Sequence, residues 1–559
     1  MKTDVCIIGS GAGAGPVASE LAKVGYKVVV LEKGPWIKTK DFAKDEMVAA
    51  RREKYIPSLK DEQHVIVSQN KDGEWISKTT YNTGNDFWNG NVVGGSSNFM
   101  TGFFHRMKPN DFRLKSTYGE YEGANVEDWP IAYDDLEPYY TKAETEVGVS
   151  GEVKQHSALE PRSTENFPYP KLEENIISSW IDKAAEKTGI EVFPAPRAII
   201  SEPKEDRKSC YYSGFCNTYG CYSDAKGSSR AALLKKGAKT GNLTIIPKAK
   251  VYHLTTNGEG KVVQAKYYNE NNEKLAIEAK IFVVACQAVE TSRLLLMSKN
   301  EEFPNGLANN NNQVGKNLMF SGGGVGSGTF YYSDLEDEEA KLLSQKGYFV
   351  NRASQAFYEI NDEKLGKIKG GTVDFLFEHP DMVAKANKAK WSGDKLLFGA
   401  ALKRKVKQRL TGRRKLLFEI FCDWMPNDNC KVELDEKVTD KWGDPVAKIW
   451  TGHHQQDLIA GEYIGARISK ILEEMGAYHV GYNISGYPSS NLMIGSCRFG
   501  NDPRTSVLDK NCKAHEVENL YVTDSSFMPT GGSVTPTWTI YANSFRVADK
   551  IKEKLKSIS

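Results

Sequence analysis

Apolar positions near the start of the chain are grouped rather than alternating. Thr3-Asp4-Val5-Cys6-Ile7-Ile8 reads as a strand, a glycine turn and a helix follow, and Lys27-Val28-Val29-Val30-Leu31 reads as a second strand. Continuous apolar runs of this length mark strands covered on both faces. Residues 40–80 are charged and lack a clear period, which predicts an excursion from the first sheet. A second βαβ-like stretch spans about 230–300, with strands at Leu243-Thr244-Ile245-Ile246, Lys250-Val251-Tyr252-His253-Leu254 and Lys280-Ile281-Phe282-Val283-Val284. Between about 320 and 480 the pattern changes to alternation, as in Leu416-Leu417-Phe418-Glu419-Ile420-Phe421, which predicts an antiparallel sheet with helices. From about Gly495 glycine turns and short apolar strands return.

The 559 residues exceed one ordinary core, so at least two domains are expected. A net charge of +2 gives no reason to invoke nucleic acid. No apolar run is long enough to predict a transmembrane helix. The chain begins directly on a strand, without the charged and apolar regions of a secretory signal. Nine cysteines, thinly spread apart from one group, argue against a disulfide framework. A reducing, cytoplasmic compartment is the expectation from this chain alone.

Gly9-Ser10-Gly11-Ala12-Gly13-Ala14 joins the first strand to the helix. In a dinucleotide fingerprint the first glycine permits the tight turn and the second lets the backbone approach a pyrophosphate. Ala14 is small enough at the third position for close helix–strand packing. The helix N-terminus directs N–H groups at the phosphates, and Glu32, ending the second strand, is placed to accept from a ribose. A glycine turn without a ligand is the plainer alternative, and these residues do not distinguish FAD from NAD.

Three further stretches resemble the glucose–methanol–choline (GMC) flavoenzyme family. The first is Trp88-Asn89-Gly90-Asn91-Val92-Val93-Gly94-Gly95-Ser96-Ser97-Asn98, followed by His105-Arg106 and Asp111-Phe112. The second comprises Asp128-Trp129-Pro130, Tyr133-Asp134-Asp135-Leu136 and Pro138-Tyr139-Tyr140. The third runs from Gly495-Ser496-Cys497-Arg498-Phe499-Gly500 through Asn519-Leu520-Tyr521-Val522-Thr523-Asp524-Ser525-Ser526 to Pro529-Thr530-Gly531-Gly532. The resemblance implies FAD as cofactor. It places Gly94, Gly95, Ser96 and Asn98 against the flavin, Asp524 and Ser525 near its ribityl and phosphate region, Val251 near the adenine, and Pro536 beside the cofactor. The implied fold class is α/β: a Rossmann-type FAD-binding domain with an inserted α+β substrate domain built on an antiparallel sheet. The FAD domain is assigned to 1–150, 203–320 and 480–559, and the substrate domain to 151–202 and 321–479.

Cys210, Cys216 and Cys221 bunch in one loop, 209–222. Thiolates favour iron–sulfur clusters, and three ligands suit a 3Fe-4S cluster. Zinc, or burial as small apolar side chains, are the other readings. The loop resembles that of the iron–sulfur glucose, fructose and gluconate dehydrogenase flavoprotein subunits. It implies a dehydrogenase with a small subunit and a c-type cytochrome subunit as partners, and a periplasmic or membrane-associated location reached through them.

The family places a histidine before the C-terminal motif and a histidine or asparagine before a later proline. Here those positions read Leu492 and Thr535, with Asn491 one residue away. Asn491 and Thr535 are the catalytic candidates, as holders of a water, since neither is a competent base. His479, Tyr482 and Tyr487 precede the motif and are weaker candidates; His515 fits a non-catalytic position, and Gln287 stands where relatives often have glycine. A basic run, Lys403, Arg404, Lys405, Lys407, Arg409, Arg413, Arg414 and Lys415, reads either as a solvated face or as a dock for an anionic membrane or acidic redox partner. The expected activity is oxidation of a sugar, polyol or other alcohol, passing electrons through the cluster to a cytochrome. Carbon–carbon bond redox chemistry and a catalytically silent homologue are the alternatives that the missing histidine leaves open.

Overall fold

Val5 through Ile8, Val28 through Leu31 and Ile281 through Val284 are all buried, as continuous apolar runs require in a sheet covered on both faces. A computed structural model describes every residue except 43, 52–54, 56–57, 86, 88–89, 488–491 and 559. The strands Leu243–Ile246, Val28–Leu31, Lys2–Ile8 and Lys274–Val284 pair in that order, all parallel. The long strand Lys274–Val284 serves two partners along its other edge. Its first half pairs antiparallel with Val262–Tyr268, which pairs with Lys250–Thr256; its second half pairs parallel with Leu520–Val522. Within the 230–300 stretch, Leu243–Ile246 joins the parallel strands and 250–284 is an antiparallel meander, rather than the whole being a βαβ unit. Two-residue-period strands with short turns close locally, whereas a parallel return needs a crossover.

The alternating stretch forms the predicted antiparallel sheet. Its order is Tyr478–Ile484, Gly322–Tyr331, Arg413–Cys422, Gly371–Phe377, Arg352–Ser354 and Phe193–Pro194. Helices Gln455–Glu474 and Ile177–Thr188 pack on it and on each other. Within 40–80 the chain makes a hairpin, Val65–Gln69 with Trp75–Thr79, and the first of these strands pairs parallel with Pro445–Thr451. The excursion expected there is thus a strand pair completing a small four-stranded sheet with Cys430–Thr439. Its short apolar run, Val65-Ile66-Val67, is buried throughout and is hidden among charges in the sequence.

The closing helix, Thr537–Ile558, packs against Ala14–Lys23 and Tyr133–Ala143. Among the described residues no helix is long and apolar enough to cross a membrane.

Candidate active site

A cavity of about 300 Å³ opens at the end of the parallel strands, against the N-terminus of Ala14–Lys23. Its wall includes Gly9 through Gly13, Glu32, the Gly95-Ser96 turn, Val251, Asp524-Ser525 and Pro536. Residues separated by up to some five hundred positions meet because strand pairing places the 8–13, 249–251, 285–287 and 522–525 segments side by side.

The glycines of the opening turn have separate reasons. Gly9 takes φ +92°, and a Cβ there would come within 2.3 Å of the Ala285 carbonyl oxygen. A Cβ on Gly13 would meet the Thr523 carbonyl oxygen at 2.6 Å. At Gly11 nothing among the described residues lies within 4 Å, so its missing side chain leaves space in the cavity itself. That is the cradle a pyrophosphate needs, facing a helix N-terminus without a side-chain cap. Ala14 is fully buried behind this wall, in its expected packing role.

Ser10 ties the site together. Its hydroxyl donates to Glu32 Oε2 at 2.5 Å and accepts from the Gly94 N–H at 2.9 Å. Glu32 Oε1 accepts from the Gly34 N–H at 2.8 Å, and burial pushes its carboxyl upward against these bonds. Gly94 stands off the wall, where its φ of +95° and the nearby Arg230 Cβ exclude a side chain. Asn98 also stands off it and shapes the turn, its Nδ2 donating to the Val93 and Gly95 carbonyls at 3.1 and 2.9 Å.

Asp524 accepts from the Gln287 N–H at 3.1 Å, the Thr291 hydroxyl at 2.5 Å and the Ser526 N–H at 2.9 Å; burial raises its pKa. Ser525 donates to the Met493 carbonyl at 2.6 Å. Gln287 has φ +79°, the left-handed region that a glycine would occupy without strain, and its Oε1 accepts from the Val289 N–H to start helix Ala288–Met297.

Beside Val251 the wall carries charged residues that sequence reasoning did not single out: Lys33, Lys250, Glu290 and Arg293. Burial opposes the Glu290 carboxylate, but Lys33 and Arg293 hold its pKa well below the usual range, and His64 Nε2 lies 3.0 Å away. Glu290 and Arg293 are three residues apart on one helix, the only local sign of a shared face. Phe87, Phe99, Met100, Leu492 and Ile540 supply apolar wall.

The catalytic candidates fare differently. Asn491 lies outside the described residues, as do Trp88 and Asn89. Thr535 stands behind the wall and its hydroxyl donates to the Phe103 carbonyl at 2.9 Å, so this hydroxyl is committed to backbone. His479, Tyr482 and Tyr487 do not enter the cavity: all three are exposed, and His479 Nε2 lies 3.1 Å from the Tyr331 hydroxyl on an edge strand. His515 lies 3.0 Å from the Ser506 hydroxyl, a local role. No histidine is among the described residues of the wall.

Cys210, Cys216 and Cys221 are free and partly buried. They lie close enough to influence one another: burial raises the Cys210 pKa to about 12, and the charges of Cys216 and Cys221 add to the rise. They are not gathered into a ligand set. Among the described residues no three histidine, cysteine or carboxylate side chains converge as metal ligands. Cys210 and Cys221 instead pack beside Ile199, Ile200 and Ala225, and the Lys226 N–H donates to Cys221 Sγ at 3.4 Å. The geometry of the described residues therefore does not support the expected 3Fe-4S site.

Fold and cavity together define an α/β nucleotide-binding scaffold carrying a second, antiparallel sheet. The chain belongs to the GMC oxidoreductases, whose two family models match residues 170–320 and 426–544. It is 29% identical over 572 aligned positions to 2-methyl-1,2-propanediol dehydrogenase of Mycolicibacterium austroafricanum, covering 100% of this chain and 96% of that protein. It is 26% identical to the fructose dehydrogenase large subunit of Gluconobacter japonicus, covering 100% and 99%. A formate oxidase structure from Aspergillus oryzae RIB40, determined to examine FAD modification, matches with TM-score 0.64 at 15% identity, covering 100% and 99%. That last likeness establishes the fold alone.

Proposed function

We propose that this protein is an FAD-dependent dehydrogenase of sugars, polyols or other alcohols. The observation that carries the reading is the open space at Gly11, enclosed by the fingerprint turn, Glu32, Val251 and Asp524 in one cavity. In this reading the seven-stranded mixed sheet belongs to the FAD-binding domain and the six-stranded antiparallel sheet to the substrate domain. Bound there, FAD supplies a hydride acceptor. The Gly11 backbone and the helix N-terminus would hold the pyrophosphate, Glu32 would accept from a ribose hydroxyl, and Val251 with its charged neighbours would receive the adenine end. The Gly95-Ser96 turn and Pro536 would hold the flavin end, and Asp524 and Ser525 the ribityl and phosphate region. The names of the 29% and 26% identical relatives, a diol dehydrogenase and a sugar dehydrogenase subunit, support this substrate class.

The substrate hydroxyl proton needs an acceptor other than the family histidine. Asn491 remains the sequence's candidate for holding a water as that acceptor, because Thr535 already spends its hydroxyl on Phe103. A finer part of the reading is a 3Fe-4S cluster on Cys210, Cys216 and Cys221, with a small subunit and a cytochrome-type partner. Three thiols on one loop support it through donor chemistry.

Leu492 on the cavity wall favours a second reading, in which the flavin serves carbon–carbon bond reduction or desaturation, or no turnover at all. Anaerobic titration of the flavin-loaded protein with sugars, polyols and simple alcohols separates them. Bleaching of the flavin band by one compound is expected. No bleaching by any, with dithionite still effective, would remove alcohol oxidation. Iron and acid-labile sulfide analysis of the same sample tests the cluster.

A further inference from the structure

A second cavity, of about 160 Å³, opens beside the cysteine loop. Residues 99–103 form the partition between the two: Phe99 and Met100 face the first cavity, Thr101 and Phe103 the second. The lining of the second is electrically one-sided. Among its described residues seven are lysine or arginine, against a single carboxylate, Glu378. Glu378 is already engaged, 3.3 Å from Lys385 Nζ.

The cations are held in place rather than left to solvent. Arg197 is buried, with its Nε donating to Asn351 Oδ1 at 2.6 Å and its Nη1 to the Thr101 carbonyl at 3.1 Å. The carboxylates it faces, Asp374 and Glu419, are not part of the lining. Arg414 lies with its guanidinium carbon 3.7 Å from the centre of the Phe377 ring. The Nε atoms of Arg409 and Arg414 are buried without a hydrogen-bond partner among the described residues. Burial lowers the pKa values of Arg414, Lys415 and Lys385, as crowded, partly dehydrated cations require.

Like charges collected in a partly dehydrated cavity repel, and an unpaired buried N–H of a charged group costs stability. Both costs fall if an anion enters. Guanidinium groups are shaped for oxyanions, which they bind through paired N–H donors. We propose that this cavity is a binding site for a small oxyanion, a phosphate or carboxylate group, recognised by Arg197, Arg409, Arg413 and Arg414. The site is independent of the cofactor cavity and of the alcohol-oxidation reading. It also explains why the basic run does not end with the exposed helix Gly399–Thr411 but continues into the strand Arg413–Cys422, where Arg413, Arg414 and Lys415 reach the lining.

Isothermal titration of the full-length, flavin-loaded protein with inorganic phosphate, and separately with acetate, tests this at ionic strength fixed with sodium chloride. Saturable binding of one anion per chain is expected. The tighter of the two identifies the ligand group. Arg414→Gln and Arg409→Gln should each weaken binding at least tenfold, while Lys403→Gln, on the exposed part of the helix, should leave it unchanged. If Arg414→Gln does not fold, as judged by thermal melting, the helix variant Arg409→Gln carries the test. No saturable heat with either anion would overturn the proposal, as would equal binding by the Arg409→Gln variant. Binding of poly-glutamate alone would also overturn it, and would make the run a docking face for acidic polypeptide.

Discussion

Gly9, Gly11 and Gly13 lie in one turn but answer to different constraints. Backbone atoms crowd the Cβ positions of Gly9 and Gly13, whereas that of Gly11 opens into the cavity. Substitutions should therefore separate folding from cofactor binding. Gly13→Ala should destabilise the protein by about 1–3 kcal/mol, since backbone must move to admit the methyl group. Gly11→Val should leave the urea-unfolding free energy of the apoprotein within about 0.5 kcal/mol of the native value and abolish FAD uptake. Flavin absorbance after reconstitution and urea titration of the apoproteins check both. Equal loss of stability in the two variants would contradict the cradle assigned to Gly11. The fingerprint announced itself in the sequence because its constraint is local. The roles of its individual glycines did not, because Ala285 and Thr523 come from distant strands.

Among the elements, helix Gln455–Glu474 illustrates how burial sets a titration. Asp457, in its first turn, accepts from the Met425 and His454 N–H groups at 2.8 Å each. Burial nevertheless pushes its pKa up to about 7. Its folded value thus exceeds its unfolded one, so the folded chain holds this proton more tightly. That contribution to stability is complete below the unfolded value and is lost as pH rises through about 7. Asp457→Asn cannot lose a proton. Between pH 5 and pH 8 the native protein should fall relative to the variant by about 2 kcal/mol, read by urea unfolding at each pH. A pH-independent difference would place the carboxyl proton elsewhere. The alternation of 320–480 foretold the sheet under this helix, but not the dehydration of one aspartate on its end.

Across the whole molecule, buried charge ties together segments that no strand pairing joins. Lys369, at the end of the hairpin strand Gly366–Lys369, forms an ion pair with Asp111, whose other oxygen accepts from the Tyr358 hydroxyl at 2.6 Å. Asp423, just beyond the strand Arg413–Cys422, accepts from the Gly531 and Gly532 N–H groups at 2.8 and 2.7 Å. The C-terminal Pro529-Thr530-Gly531-Gly532 motif is thereby fastened to the antiparallel sheet. Lys369→Met leaves Asp111 buried without its cation, and should cost about 3–5 kcal/mol in urea unfolding. A loss below about 1 kcal/mol would mean that the pair contributes little to holding the hairpin against the 109–113 turn.

The sequence by itself determined what depends on near neighbours: the buried runs of the parallel strands, the glycine turn before Ala14, Glu32 at a strand end, and the alternation of the antiparallel sheet. Its motifs also sufficed to place the chain among the GMC oxidoreductases. Only the tertiary structure decided what depends on residues far apart. It turned 250–284 into a meander, paired Val65–Gln69 with Pro445–Thr451, and put His479 and Tyr487 outside the cavity. It also collected Glu290, Arg293 and Lys250 beside Val251, and brought Arg197 to Arg409 and Arg414. The physical reason is that strand pairing and burial are long-range. A periodicity states that a residue turns inward, but the residues it meets, and hence its charge and chemistry, are set by segments hundreds of positions away.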